Sequence, residues 1–456
     1  MPRLLRSGVF AAFVILSASL AAAAPVAVPP SFLLILADDQ SWVGTSQPMI
    51  PGERDTASDY HRTPAIERLA SRGMLFTDGY APAPFCCPTR RSLQVGQNPA
   101  RHEYQQDRKN WPEVYRRQLN IPRMLKAADA RYRTAHFGKW DHRYDGVSPA
   151  DQGFDESDGV TGNNTGGGRK AGGEVQREDP KLMSTLTERA GVFLEEQARA
   201  GKPFYLQVSH YAVHLEIQHS PEAMARVRGR PTGIKHNLDV FAAMTEDLDE
   251  AVGRLLDRLN ALGLAERTYV IYMSDNGGRP TLPGAADKGQ GPNYPLRGAK
   301  GTLYEGGIRV PFIVAGPGVK AGSVSRVPVT GLDLFPTFAD FAGYREKLPE
   351  TIDGGSLRGV WLNGGVGEVR RVRPYLLFHQ AIDRRAQTAL SWGDLKLVKN
   401  WTTGEVELFD LSRDLREAEN LVKRMPEKAA ELHRIAAGFI SEVKAETRQL
   451  GKIKDD

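Results

Sequence analysis

Short apolar runs recur along the chain, and each has the length and composition of a buried β-strand. Five of them stand out: Phe32–Leu36, Tyr132–Phe137, Phe204–Ser209, Tyr269–Met273 and Phe312–Ala315. Helical patterns lie between several of these runs. This alternation predicts an α/β fold with a large, mixed, mostly parallel sheet sandwiched by helices.

The clearest predicted helix comes just before the Tyr269 run. Its apolar residues recur at spacings of three and four, which places them on one stripe of a helix. They are Phe241, Met244, Leu248, Val252, Leu255, Leu256, Leu259 and Leu262. The pattern stops at Gly263, a residue type that commonly follows a helix.

The pattern changes after about Gly365, where shorter strand-like pieces precede an amphipathic helix from roughly Pro426 to Val443. The pieces are Tyr375–Phe378, Leu395–Val398 and Val406–Phe409. We expect a main domain over residues 25–365 and a smaller C-terminal domain of antiparallel sheet plus helix over residues 366–456. Between the predicted strands, the Gly-rich segment Gly159–Gly173 is interpreted as a loop, either over a site or simply disordered.

The first 24 residues have the pattern of a signal peptide. Arg3 and Arg6 form a basic start, Val9–Leu20 is apolar, and Ala21–Ala24 supplies small residues for cleavage. An uncleaved anchor is the alternative. No later segment is long and apolar enough to span a bilayer. We therefore expect a secreted or periplasmic protein with no membrane span after signal cleavage.

Composition narrows the choice of function. The chain has 456 residues and a formal net charge of +5, and the excess of basic residues is spread along it. That excess suits either a solvated basic surface or a polyanionic substrate. The absence of a compact basic and aromatic cluster argues against nucleic-acid binding.

The chain has 2 cysteines, which are adjacent, Cys86 and Cys87. They cannot cross-link distant parts of the fold.

Polar residues follow several predicted strands. The residues that come after these strands are Asp38-Asp39, Lys139, His210 with His214, and Asp275-Asn276. Reactive groups collect beyond the carboxyl ends of parallel strands. One acidic pair alone would suit a turn or a helix N-cap, but two pairs at equivalent positions favour one metal site. The oxygen ligands predict Ca²⁺ or Mg²⁺.

The segment Cys86-Cys87-Pro88-Thr89-Arg90 has the pattern of a helix start, with Cys86 near the N-cap and Pro88 in the first turn. Arg90 lies one turn further on, on the same face, so both residues would border an anion at the positive end of the helix. A thiol phosphatase loop needs an arginine six positions after its cysteine. Ser92 and Leu93 stand there for the two cysteines, which excludes that class.

Lys300 begins a Gly-rich loop that enters the Phe312 run. A lysine in such a loop is commonly just exposed to solvent. A lysine in a site would pair with a substrate anion or protonate a leaving group.

Together these segments resemble the type I sulfatases of the alkaline phosphatase superfamily, through nearly the whole chain after residue 24. The order of the motifs carries the resemblance. They are Leu34–Asp39, Thr63–Ala70, the Cys-x-Pro-Ser/Thr-Arg signature at Cys86–Arg90, Gly138–Trp140, Gln152–Asp155, Pro203–His214, Ser274–Gly278, Lys300–Pro311, Asp333–Thr337 and Gly404–Leu421.

The resemblance implies a sulfatase that hydrolyses a sulfate ester on a sulfated carbohydrate or an aryl sulfate. It implies that a separate maturation enzyme converts Cys86 to formylglycine, whose hydrated form attacks sulfur. The implied ligands of Ca²⁺ or Mg²⁺ are Asp38, Asp39, Cys86, Asp275 and Asn276. In addition, Arg90, Lys139 and Lys300 would neutralise the sulfate, and His214 would protonate the leaving alcohol.

The chain departs from the family pattern at two places. Lys139-Trp140 is followed by Asp141 and then His142, where the family often has histidine directly, and Val213 replaces the usual proline before His214. Two alternative functions stay open. One is a phosphonate or phosphate ester hydrolase of the same fold, and the other is an inactive relative that binds sulfated glycans.

Overall fold

Strand β1, Ser31–Ala37, lies within the main sheet, and all of its residues are buried. Successive side chains of a strand point to opposite faces of the sheet. Leu33 and Ile35 accordingly pack into one hydrophobic core, whereas Phe32 and Leu34 pack into the other. The main sheet is therefore covered on both faces.

The computed structural model of the chain describes residues 28–104, 111–142, 146–167, 178–382 and 385–448. The predicted signal peptide and residues 168–173 of the predicted Gly-rich loop lie outside these ranges. Within them, no helix combines the length and the apolar character that crossing a bilayer requires.

The main sheet has eight strands in the order β5-β4-β6-β1-β7-β8-β2-β9. Strand β8 is antiparallel to both of its neighbours, and the other pairs are parallel. The strands after β1 are β2 Met74–Phe76, β3 Gly79–Tyr80, β4 Arg133–Gly138, β5 Glu156–Ser157, β6 Phe204–Ser209, β7 Thr268–Ser274, β8 Phe312–Ala315, β9 Ser323–Ser325 and β10 Val329–Thr330. The short strands β3 and β10 form a separate parallel pair.

Helices lie on both faces of this sheet. They are α1 Pro64–Arg72, α2 Cys86–Val95, α3 Trp111–Arg117, α4 Ile121–Ala128, α5 Met183–Ala200, α6 Pro221–Val227, α7 Asp239–Ala261, α8 Glu305–Ile308, α9 Leu334–Ala342 and α10 Arg358–Leu362. Helices α1, α5 and α7 share a core with Leu33, and α4 and α9 share the opposite core with Phe32.

Helix α7 follows the predicted stripe closely. The predicted positions from Phe241 to Leu259 are buried. Leu262 instead caps the helix, and Gly263 then adopts a left-handed conformation, with φ of 66°. Glycine tolerates that conformation because it has no Cβ.

The C-terminal part contains an antiparallel sheet in the order β11-β12-β13-β14. Its elements are β11 Leu376–Gln380, β12 Gln387–Trp392, β13 Leu395–Asn400, β14 Val406–Asp410 and helix α11 Pro426–Glu442. Strand β12 was not predicted, because its sequence mixes polar with apolar residues. The predicted fold class is confirmed, with a mixed, mostly parallel main sheet and a separate antiparallel sheet plus helix.

Candidate active site

The two predicted acidic pairs lie side by side because β1 and β7 are neighbouring parallel strands that end together, with Ala37 opposite Ser274. The backbone N–H of Asp275 continues the ladder by donating to the carbonyl of Ala37 over 3.0 Å. The backbone N–H of Asp39 donates to Asp275 Oδ1 over 3.1 Å. Asp38, Asp39 and Asp275 are at most 2% exposed, so three carboxylates share one buried site.

Asn276 completes this oxygen-rich group. Its side-chain N–H donates to Asp39 Oδ1 over 2.8 Å. The side-chain oxygen, Asn276 Oδ1, takes no part in this bond. Within the described residues, neither Asn276 Oδ1 nor Asp38 Oδ1 has a hydrogen-bond donor, although both atoms are buried. Buried acceptors without a donor are costly. A divalent cation would satisfy both, and its preferred ligands are oxygen atoms of this kind.

Cys86 is the first residue of α2, after Phe85 in an extended conformation at the N-cap. One ligand atom each from Cys86, Asp38 and Asp275 can lie within 4.8 Å of the others. Burial, and then the charge of Asp141, raise the pKa of the Cys86 thiol well above its ordinary value. A thiolate nucleophile requires the opposite shift. An unmodified Cys86 is thus poorly suited to attack a substrate.

Arg90 lies one turn along α2, and its guanidinium binds the acidic group directly. Its Nε and Nη2 lie 2.9 and 2.7 Å from Asp275 Oδ2. Its Nη1 donates to the carbonyl of Lys139 over 2.5 Å. Arg90 therefore holds Asp275 in place and ties α2 to the end of β4.

Lys139 reaches the site from the end of β4. Its Nζ lies 2.6 Å from Asp38 Oδ2, and its backbone N–H donates to the carbonyl of Ser209 over 2.8 Å. Gly138 permits this approach, because a Cβ there would lie 2.0 Å from the Ser209 carbonyl oxygen. Burial disfavours a charged lysine, but the surrounding negative charges, led by Asp38, together outweigh it and raise the pKa of Lys139 well above its ordinary value.

Lys300 reaches the site from the loop before β8, with Nζ 3.0 and 3.1 Å from the two carboxylate oxygens of Asp39. Its loop packs against the segment after β7 at Gly277, where a Cβ would lie 2.0 Å from the Gly306 carbonyl oxygen. Burial opposes ionisation of Asp38 and Asp39, yet the nearby cations lower both pKa values, led by Lys139 at Asp38 and by Lys300 at Asp39. In contrast, burial and the charge of Asp38 raise the pKa of Asp275 to about 7.

His214 lies beside Asp39, on a segment that continues the ladder between β1 and β6. The backbone N–H of Asp38 donates to Ala212 over 2.9 Å, and that of Val213 donates to Asp38 over 2.6 Å. His214 Nδ1 lies 2.6 Å from the carbonyl of Leu215. A carbonyl only accepts, so Nδ1 carries a proton. Nε2 then faces Asp39 Oδ2 at 3.7 Å. Burial and Lys300 lower the pKa of His214 to about 4.

The charge of Asp141, rather than His142, acts on Cys86 and raises the pKa of its thiol, after burial itself. Asp141 is fully buried, with Oδ2 3.7 Å from Lys139 Nζ, and its backbone is left-handed, with φ of 57°. The ring of His142 instead packs 3.9 Å from that of Trp140, and its Nδ1 lies 3.1 Å from Tyr115 Oη. At this point of the chain a buried carboxylate therefore lies near Lys139, while the histidine packs against Trp140 and Tyr115.

The other strand-end histidine, His210, makes no hydrogen bond to this group. Neither of its ring nitrogens has a hydrogen-bond partner among the described residues. Burial lowers its pKa to about 4, so it is neutral at neutral pH.

One buried lysine near the site could not be identified from the sequence. Lys181 is 1% exposed, and burial lowers its pKa to about 8, although the charge of Asp38 acts against that shift. It lies in a single 3₁₀ turn before α5, and its backbone is left-handed, with φ of 55°. It follows no strand and belongs to no motif, so nothing in the sequence marks it.

The chain is similar to known proteins over most of its length. Residues 30–344 match the family model described as Sulfatase. Residues 299–440 match the one described as N-sulphoglucosamine sulphohydrolase, C-terminal.

Mouse N-acetylgalactosamine-6-sulfatase is 30% identical over 380 residues, which cover 76% of this chain and 68% of that protein. Human arylsulfatase A is 30% identical over 392 residues, which cover 76% of this chain and 70% of that protein. The crystal structure of Ps i-CgsB in complex with k-i-k-neocarrahexaose superposes with a TM-score of 0.74 at 23% identity. It covers 92% of this chain and 95% of that chain, and it supports the fold.

Proposed function

This chain belongs to the sulfatase family, and on that premise we propose that it hydrolyses sulfate esters of glycans with a formylglycine made from Cys86 and a divalent cation. The chain is a sulfuric ester hydrolase. The nucleophile, the cation and the substrate class are the parts that we propose.

The observation that carries this proposal is the position of Cys86. Its side chain lies at the start of α2 beside Asp38 and Asp275, and its thiol pKa is raised well above the ordinary value, first by burial. A buried thiol that resists ionisation is a poor nucleophile, whereas an aldehyde at the same position would add water and present hydroxyl groups to the substrate. We therefore assign Cys86 as the residue that is modified and leave Cys87 as a packing residue.

The cation would be held by Asp38, Asp39, Asp275 and Asn276, together with the modified side chain at position 86. The oxygen ligands favour Ca²⁺, and Mg²⁺ is the alternative. When bound, the cation supplies Lewis acidity and lowers the pKa of a hydroxyl group beside it. Arg90 contributes by fixing the carboxylate of Asp275.

Lys139 and Lys300 would bind the sulfate oxygens. Each ammonium group has three N–H donors, so a lysine bonded to Asp38 or Asp39 can also donate to an anion. The two lysines contact different carboxylates of the acidic group, Asp38 and Asp39. Donors fixed in a buried site stabilise the charge that develops in the transition state.

His214 would give its proton to the departing alcohol oxygen. Its ring is held by the bond from Nδ1 to the Leu215 carbonyl, which leaves Nε2 to face the substrate side next to Asp39. A bound sulfate ester would add negative charge here and favour the protonated ring.

The name of one relative, N-acetylgalactosamine-6-sulfatase, supports a sulfated carbohydrate as substrate. We further propose that residues 1–24 direct export and that a formylglycine-generating enzyme matures the chain. The proposed division is a catalytic domain over residues 25–365 and a smaller domain over residues 366–456.

The test is sulfate release from a panel of sulfated glycans and aryl sulfates by chain produced together with a maturation enzyme. Cys86→Ala serves as the inactive control. Matched phosphate and phosphonate esters are measured beside the aryl sulfate. Faster turnover of the phosphorus esters would overturn the assignment. A lack of turnover despite confirmed formylglycine would favour a glycan-binding role.

A further inference from the structure

A cleft opens beside Asp39, on the side of the site where His214 lies. Its space is continuous with solvent, and Asp39 and Val213 are among the residues that line it. Phe241 and Leu282 supply an apolar wall. Ligand sites usually combine apolar walls with a few polar groups at fixed positions. On the proposed function, this is where the alcohol part of the substrate would lie.

Two donors in the cleft lack partners. Gln40 is 1% exposed, and its side-chain Oε1 accepts from the hydroxyl of Tyr272. Neither Gln40 Nε2 nor the buried Nε of Arg279 has a hydrogen-bond partner within the described part of the chain. Both residues line the cleft. A ligand that satisfies these groups must accept hydrogen bonds.

The two histidines that line the cleft are not needed to bind such a ligand, because each already makes a hydrogen bond to a backbone carbonyl. His61 Nδ1 lies 2.9 Å from the carbonyl of Gly44, and His236 Nε2 lies 3.1 Å from that of Pro292. Burial lowers the pKa of His61 to about 4 and that of His236 well below its ordinary value. Both rings are therefore neutral at neutral pH. Of the described residues lining the cleft, Arg279 is the one with a permanent positive charge.

The backbone at Arg279 is held in place. Asn293, itself 4% exposed, donates from Nδ2 to the carbonyls of Gly278 and Arg279 over 3.1 and 3.0 Å. Position 278 requires glycine, since a Cβ there would lie 2.7 Å from Asn293 Oδ1 and 2.8 Å from Ser41 Cβ. Arg279 follows Asp275 by four residues, so the chain keeps their Cα atoms within about 14 Å.

We propose that Arg279, with Gln40, binds a second anionic group, a further sulfate ester, on the sugar whose sulfate is cleaved. This inference rests on the proposed function. An arginine presents paired N–H donors that match such oxygen anions. No carboxylate of the described residues lies within ion-pair distance of Arg279. The unpartnered donors of the cleft favour a group that only accepts hydrogen bonds. Arg279 is thus a specificity-determining residue.

The test measures binding, so that it does not depend on turnover. Calorimetry with the Cys86→Ala chain and Ca²⁺ compares galactose, N-acetylgalactosamine and N-acetylglucosamine, each carrying one sulfate or two. The same measurements are made after adding Arg279→Gln. Arg326→Gln, at an exposed arginine that does not line the cleft, is the matched control.

We expect doubly sulfated ligands to bind more tightly than singly sulfated ones. Arg279→Gln should weaken the doubly sulfated ligands by roughly 10- to 100-fold and remove most of that preference, while Arg326→Gln changes neither. Equal binding of both ligand sets, an equal effect of Arg279→Gln on both, or no binding at all would overturn the proposal. Hydrolysis of 4-nitrophenyl sulfate by the matured chain with Cys86 intact reports separately on the proposed function.

Discussion

Lys139 Nζ lies 2.6 Å from Asp38 Oδ2, and both side chains are fully buried. This ion pair links the predicted sulfate contacts to the predicted cation ligands. Removing one partner would leave the other charge buried without compensation, which is strongly unfavourable. Asp38 and Lys139 must therefore be considered as a unit.

We expect Lys139→Met to reduce kcat by about 10²- to 10³-fold, as the loss of a transition-state donor does in other enzymes. Steady-state kinetics with an aryl sulfate provide the measurement. Lys399→Met is the matched control, because Lys399 is 9% exposed and donates to the Gly404 carbonyl in the C-terminal sheet. It should affect stability while kcat stays near the wild-type value. A similar fall in kcat for both variants would contradict the role of Lys139.

The adjacent cysteines should differ chemically. We expect peptide mass mapping of chain matured during expression to find an aldehyde at Cys86 and an intact thiol at Cys87. Both thiols are buried, but Cys86 adjoins Asp38 and Asp275, whereas the largest charge effect on the pKa of Cys87 comes from Glu103 after burial itself. Cys86→Ala should abolish sulfate release, and Cys87→Ala should retain it. The reverse pattern would overturn the assignment.

The sequence predicts those site residues whose positions follow from the geometry of the strands. Asp38 and Asp275 follow neighbouring parallel strands, so their meeting could be predicted from two apolar runs. The sequence could not predict that the charge of Asp141 acts on Cys86, because the left-handed backbone of Asp141 itself sets the course of the chain after β4. The sequence also does not predict Lys181 near the site, because only tertiary packing brings its turn near Asp38. Strand β12 was missed because its partners β11 and β13, rather than its own composition, fix it in the sheet.

Removal of the cation should lower both activity and stability. Three carboxylates are buried together at the proposed cation site. A ligand that binds only the folded state stabilises it by about 4 kcal/mol at a thousandfold excess over Kd. We therefore expect a chelator to abolish sulfate release and to lower the unfolding temperature. Ca²⁺ should restore both, and Mg²⁺ is added in parallel to compare the two ions.

Asn276→Ala provides the matched variant for this experiment. It removes one oxygen ligand without changing the charge of the site, so a higher Ca²⁺ concentration should be needed for the same activity. Unchanged activity and unfolding temperature after chelation of the wild-type chain would contradict a resident cation.

Substitutions of Asp141 and His142 should distinguish a role in catalysis from a role in packing. A carboxylate beside position 86 can accept a hydrogen bond from a hydroxyl of the modified residue, so we expect Asp141→Asn to lower kcat by roughly 10- to 100-fold. His142 contacts Trp140 and Tyr115, and His142→Phe should lower stability more than kcat. Parallel kinetics and denaturant unfolding check both variants. A larger kcat effect at His142 would reverse the two roles.

A buried ion network joins the C-terminal sheet to the loop that carries Lys300. Lys396 Nζ, on β13, lies 2.6 Å from Glu305 Oε1 and 2.9 Å from Glu417 Oε1, and all three side chains are fully buried. The backbone N–H of Glu305 also donates to Glu417 over 2.7 Å. Burial, only partly offset by Lys396, raises the pKa of Glu417 to about 7.

Glu417 should therefore make stability depend on pH. Its folded pKa is about 7 against an ordinary value of 4.5, so its contribution is complete below pH 4.5 and is lost as pH rises through 7. The shift corresponds to on the order of 3 kcal/mol. Denaturant unfolding at pH 5 and pH 8 should show this loss in the wild-type chain and a smaller one in Glu417→Gln, which cannot titrate. Glu419→Gln, at an exposed position, should follow the wild type. Equal losses in all three chains would contradict the assignment, because Glu417 would then not be the group that titrates.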